Sequence, residues 1–247
     1  MKKRLPLLIL ALMGATLSQA QLFPKKTDSS QSSVKTSINK LLGKSKSGTL
    51  STEDIAAGLK EALSVGAQRG SDKLSAADGF FKNAALKILM PAEAKKVEET
   101  LRGIGMGKQV DQAILAMNRA AEDATKSAAP IFVNAVKSMT IDDAMGILKG
   151  GDNAATNYLK GKTTPQLTEA FRPVIEQSLQ KVDATKYWNT IFSNYNRVAK
   201  DKINPDLPAY VTEKALAGIF MQLADEEKSI RQNPAARTTE LLKKVFN

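Results

Sequence analysis

Chemistry in this 247-residue chain must be done by carboxylates, amides, hydroxyls and the cations of lysine and arginine, because the sequence contains neither cysteine nor histidine. Their absence removes disulfides, thiol nucleophiles, Cys/His zinc sites, histidine-ligated haem and every histidine-based triad. No metal-ligand set and no cofactor motif is expected. The most distinctive polar segment is Asn118-Arg119-Ala120-Ala121-Glu122. At 100° per residue Val110, Ile114, Met117, Ala121 and Ala124 form one apolar stripe. Asp111, Asn118 and Glu122 then lie beside that stripe, and Arg119 lies nearly opposite. Asn118 and Glu122 are one turn apart and can share a partner. They read either as the wall of a polar pocket or as a hydrogen-bond network joining helices, and the second is the commoner use of semi-buried polar groups.

A second polar group sits near the end of the chain. Leu216, Ile219, Phe220, Leu223 and Ile230 define an apolar arc, and Glu227 falls inside it. Burying an ionised carboxylate costs several kcal/mol unless it is paired. Arg231, one turn on, and Arg237, after Pro234, are the candidate partners. The alternative for Glu227 is a general acid or base in carboxylate-dependent hydrolysis. Gly150-Gly151-Asp152 precedes a helix start, with Thr156 just inside it. Such a turn can hold an anion on backbone N–H groups, but more often it only reverses the chain with Asp152 as cap. Thr140 and Asp143 carry a capping-box pattern. Asp142, Asp143 and Asp152 match no calcium-loop spacing.

The elements that must position these residues are helical. Apolar periodicity of 3.6 runs through most of the chain, without strand-like alternation. Ser51 and the acids Glu53 and Asp54 open a helix to about Gln68, and Ala92 to Arg102 forms another, ended by glycines 103, 105 and 107. Lys108 to Ser127 is a third, and Pro130 starts a fourth. Thr140 opens a short helix that stops at Gly150-Gly151. The next is expected to stop near Gly161, with a separate helix from Pro165 kinked or broken at Pro173. Thr185 to Lys200 is amphipathic, Asp206 opens a long helix to about Arg231, and a last short helix ends at Phe246. Trp188, Phe192 and Tyr195 share one face and read as a core stripe. Met106, Met117, Met139, Met145 and Met221 read as core filler. The expected fold is all-α: a single domain of about eight to ten helices over residues 50–247.

The net charge of +11 is unevenly spread. Residues 1–20 carry +3, residues 21–50 carry +5, and the remaining 197 residues carry only +3. With 5% aromatic residues and so little charge on the folded part, no nucleic-acid partner is expected. Residues 1–20 read as a signal peptide. Lys2, Lys3 and Arg4 precede the apolar run Leu5–Met13, and Ser18-Gln19-Ala20 sets a cut after Ala20. That run is too short to span a bilayer and no later one is long enough, so the mature chain is expected to be periplasmic or secreted without a transmembrane segment. Residues 21–49 are a Ser/Lys-rich tail with too little apolar area to order itself. Its lysines would at most touch an anionic surface weakly.

Several stretches carry a resemblance. They are the run Asp54 to Leu63, Asp78-Gly79-Phe80, Met117 to Glu122, Met139-Thr140, Gly150-Gly151-Asp152 with Ala155-Thr156, Tyr210-Val211-Thr212 with Ala215-Leu216, Glu226-Glu227 with Ile230-Arg231, and Asn233 to Thr239 with Leu241 to Phe246. Together they resemble an exported bacterial family termed domain of unknown function 4197, over about residues 50–247. The chain departs from the family pattern at Lys87 to Pro91, which is looser, and at Asn247, where the pattern ends in glycine. The resemblance implies a single helical domain behind a signal peptide and brings no activity or catalytic residue with it.

The sequence therefore favours a non-enzymatic binding or scaffolding protein of the envelope space over catalysis. Its partner would be a small ligand or an envelope protein, met by Asn118, Arg119, Glu122, Thr140, Asp143, Gly151, Asp152, Thr156, Glu227, Arg231 and Arg237. The alternatives are a carboxylate-dependent hydrolase of envelope glycan and a tail-driven binder of membrane surfaces or polyanions.

Overall fold

A computed structural model of the chain describes residues 50–181, 183–197, 202, 206–233, 243 and 245. The expected leader and tail, and Arg237, lie outside the described residues. Eight α-helices are seen among them, and no strand: α1 (Thr52–Ser75), α2 (Lys95–Gly103), α3 (Gly107–Thr125), α4 (Ala128–Lys137), α5 (Ile141–Lys149), α6 (Ala154–Gln180), α7 (Ala184–Tyr195) and α8 (Leu207–Gln232). A single 3-10 turn, Ala92–Ala94, leads into α2. The all-α expectation holds.

Local signals placed three helix starts. Ser51 and Thr140 each form a full capping box, with Asp54 and Asp143 as the reciprocal partners. Asp206 accepts from the Ala209 N–H to open α8. The longest helix departs from expectation. No break occurs at Gly161, Pro165 or Pro173, and α6 runs through all three. Leu159, Thr163, Leu167, Phe171, Ile175 and Leu179 recur every fourth residue, and all are buried. That stripe packs α6 against α3 and α8, with α4 and α7 alongside. Pro165 and Pro173 stand on the exposed face, as do Gly161 and Glu169, whose carbonyls the prolines leave without a helical donor. On an exposed face those carbonyls are open to solvent, so the lost bonds cost less than a buried stripe gives.

α1 extends to Ser75, seven residues beyond the expected end, because Gly70, Ser71 and Leu74 continue its buried face. It packs against α4, α5, α8 and α3. The chain then turns sharply at Asp78, where φ is +69°. Gly79 is required there, since a Cβ would lie 2.5 Å from the Leu74 carbonyl oxygen. Phe80 follows, fully buried, its ring pressed on α8 at Gly218, where a Cβ would meet it at 2.5 Å. Residues 82–91 wander without a helix until the 3-10 turn, yet Leu86 and Ile88 are core residues. An irregular segment in a core needs partners for its backbone; α3 supplies them at Ile88 and α8 supplies one at Leu89. Among the methionines, Met117 and Met139 fill core, but Met106 is 38% and Met221 50% exposed, against expectation. Trp188 and Phe192 are buried as expected, and Trp188 stacks on Tyr210 of α8.

Candidate functional site

The sequence-predicted polar residues sort into two separate networks and a cap. In the first, Asn118 is fully buried and holds Ile88 as a second strand would. Its Oδ1 accepts from the Ile88 N–H at 2.8 Å, and its Nδ2 donates to the carbonyls of Ile88 and Ile114. One turn on, Oε1 of Glu122 accepts from the N–H groups of Phe80 and Phe81 at 3.1 and 3.2 Å. Arg119 does not point away from the core as its helical angle suggested. Its guanidinium bends round to Glu122 Oε2 at 2.6 Å and to Asp78 Oδ1 at 2.5 Å. The Glu122 carboxylate is thus buried with a cation and two N–H donors, the condition under which burial of a charge is tolerated. Asp111 takes no part and pairs instead with Arg102.

In the second network Glu227 works at a distance. It accepts from the N–H groups of Ala155 and Thr156 at 3.0 and 2.8 Å, and from the Thr156 hydroxyl at 2.9 Å. Those are the first free amides of α6. An anion does sit at the helix start after Gly150-Gly151, and it is the chain's own. Asp152 is exposed and does not cap; Asn153, with φ +69°, precedes the helix and makes no side-chain cap. Arg231 pairs with Glu227 at 2.8 Å and donates to the carbonyls of Ile147 and Gly150 at the end of α5. One ion pair therefore puts negative charge at a helix start and positive charge at a helix end, as both dipoles favour. Gly151 is exposed, with open space where a Cβ would stand.

Thr140 and Asp143 form the α5 capping box, and the Tyr158 hydroxyl donates to Asp143 at 3.4 Å. The bonds from Thr140, backbone first, hold the Asp143 carboxyl below its ordinary range. Phe80 in the first network touches α8 at Gly218, and Glu227 stands nine residues further along that helix. At 1.5 Å per residue the two networks are about 13 Å apart along α8. The polar residues are brought together in two groups of bonded partners, with their lone pairs and donors used internally.

The concavity that these residues do not fill lies alongside. A groove of about 760 Å³ runs between α2, α3, the end of α6 and α7. Its floor is Val110, Ala113, Ala116 and Met117 of α3 with Trp188, Phe192 and Leu207, and Val97 and Leu101 of α2 form one wall. Arg119, Asp123, Ser178 and Lys181 stand at one end. Volume and lining match a small-molecule site: mostly apolar, with a few convergent polar groups. Sequence reading overlooked it because it followed the single stripe that faces the core. The usable signal was that α3 also carries Ala113, Leu115 and Ala116 outside that stripe, too many apolar residues for one buried face. A second hollow, of about 560 Å³, is polar, with Glu93, Glu213, Lys202 and Lys214 around Tyr210. Burial there, with Glu213 and Glu93 nearby, pushes the Tyr210 hydroxyl up to about 12, and it donates to the Leu89 carbonyl at 2.8 Å.

A family model described as Protein of unknown function (DUF4197) matches residues 49–247. The chain belongs to this family. The match covers α1 to α8 and so includes both ion-pair networks and the groove. Neither a curated protein nor a solved structure gives a match to this member. Among the described residues, no helix is long and apolar enough to cross a membrane, and no three carboxylates gather as a metal site would require.

Proposed function

We propose that this is an exported, non-enzymatic binding protein whose binding element is the apolar groove along α3. The observation that carries the reading is the contrast between the groove and everything polar near it. The buried acids and their arginines are bonded to backbone and to one another, whereas the groove presents a mainly apolar lining that no side chain among the described residues fills. Transfer of apolar ligand surface from water into such a lining contributes about 25 cal/mol per Å². Hydrolysis through Glu227 draws no support from this geometry, since a carboxylate that accepts from two amides, a hydroxyl and Arg231 has no lone pair turned to a substrate. Export is proposed from the leader-like residues 1–20.

The test is titration of the purified protein with phenylnaphthylamine, an uncharged dye that fluoresces in apolar surroundings. The wild type is expected to bind it saturably, and Ala116→Trp, which fills the groove floor, to weaken binding at least tenfold. Ala113→Phe, on the same face, checks the result should Ala116→Trp melt without cooperativity. Failure of the dye to bind, or equal binding by a folded filled-groove variant, would overturn the reading.

A further inference from the structure

The two ends of the groove differ, and the difference names a ligand class. At the α2 end the lining is Val97, Leu101 and Met106, and the one acid there, Glu98, is matched by Arg102 at 2.9 Å. At the other end stand Arg119, Asp123, Ser178 and Lys181. Arg119 is taken by Glu122 and Asp78, and Asp123 by Lys126 at 2.7 Å and by the Ser178 hydroxyl. Lys181 is exposed, one turn beyond Ser178 on the helix end, and has no carboxylate within ion-pair distance among the described residues. Among the described residues lining that end, it is the cation left for a ligand.

The length agrees. From Gln109 to Asp123 the groove follows fifteen residues of α3, about 21 Å at 1.5 Å per rise. One lipid chain occupies half of a roughly 30 Å hydrocarbon layer, about 15 Å, which leaves space for a head group at one end. Resting on the groove reading above, we infer that the ligand is a single-chain amphiphile with an anionic head group. Its alkyl chain lies along α3 with the tail toward Met106, and its head lies beside Lys181.

The experiment displaces phenylnaphthylamine from the protein with palmitate, with methyl palmitate and with hexadecylamine, three ligands of matched chain and different head charge. Palmitate is expected to displace best, the neutral ester less well and the amine least. Lys181→Glu should weaken palmitate about tenfold, leave the ester within about twofold, and lose its discrimination as salt is raised. Lys181→Arg should restore palmitate binding. Equal displacement by all three, unchanged by Lys181→Glu, would overturn the head-group assignment while leaving the groove as a binding site. Absence of dye binding would overturn the groove itself. Weakening of all three ligands alike by Lys181→Glu would show a packing effect and overturn the charge argument.

Discussion

The Arg119–Glu122 and Arg231–Glu227 pairs use the same chemistry on two helices and hold different things. Each sets an arginine about one helical turn from a buried glutamate whose oxygens accept backbone N–H groups. The pair on α3 pins a loop: Phe80, Phe81 and, through Asn118, Ile88. The pair on α8 pins two helix ends, the start of α6 and the close of α5. They differ in access to water as well. The Arg119 side chain is 41% exposed and that of Arg231 only 15%. A buried ion pair with no route to solvent costs far more to break than one whose cation already touches water, because the stranded carboxylate cannot be rehydrated.

Removing each arginine tests that difference directly. Arg231→Ala removes the cation from Glu227, leaving it the amides of Ala155 and Thr156 and the Thr156 hydroxyl, and leaves the carbonyls of Ile147 and Gly150 short of a donor. It should destabilise by about 3–5 kcal/mol, seen in urea denaturation and as a melting point lower by roughly 6–20 °C. Arg119→Ala lets water reach Glu122, which keeps its two amide donors, so a smaller loss of about 1–2 kcal/mol is expected. If the two variants lose equal stability, solvent access does not set the cost. The smallest effect sharpens the comparison through pH. Hydrogen bonds from Lys82 and then Arg119 hold the Asp78 carboxyl below its ordinary 3.8. A carboxyl lowered on folding contributes stability above its unfolded value, and that contribution is lost as pH falls through the folded one. Asp78→Asn keeps a residue that tolerates the +69° backbone. Its denaturation midpoint should fall below wild type at neutral pH, and the gap should close below about pH 4. A gap that stays constant as the pH is taken well below 4 would mean that the Asp78 charge contributes nothing.

What was legible in the sequence was what is local. The capping boxes at Ser51 and Thr140 complete themselves within four residues, and the structure shows them where the pattern put them. The buried arcs of α3 and α8, and the burial of Asn118 and Glu227 within or beside them, followed from helical angles alone. Three things were not legible. The continuity of α6 depends on a stripe that repeats every fourth residue and on prolines that happen to face water, so local breaking signals were outweighed by packing. The cap on that helix comes from a residue 71 positions away, which no local pattern encodes. The groove is made by the distance between helices, and a sequence reports faces more readily than gaps.

The remote cap also bears on the order in which the chain becomes ordered. Joining Thr156 to Glu227 closes a loop of 71 residues. Doubling a loop costs equilibrium stability only about 0.6 kcal/mol, but contacts between distant residues slow the search for the native state. Because Glu227 belongs to the last long helix, α5, α6 and the turn between them acquire their final anchorage only after nearly the whole chain has left the ribosome. Until then the first amides of α6 and the last carbonyls of α5 lack the partners that Glu227 and Arg231 supply.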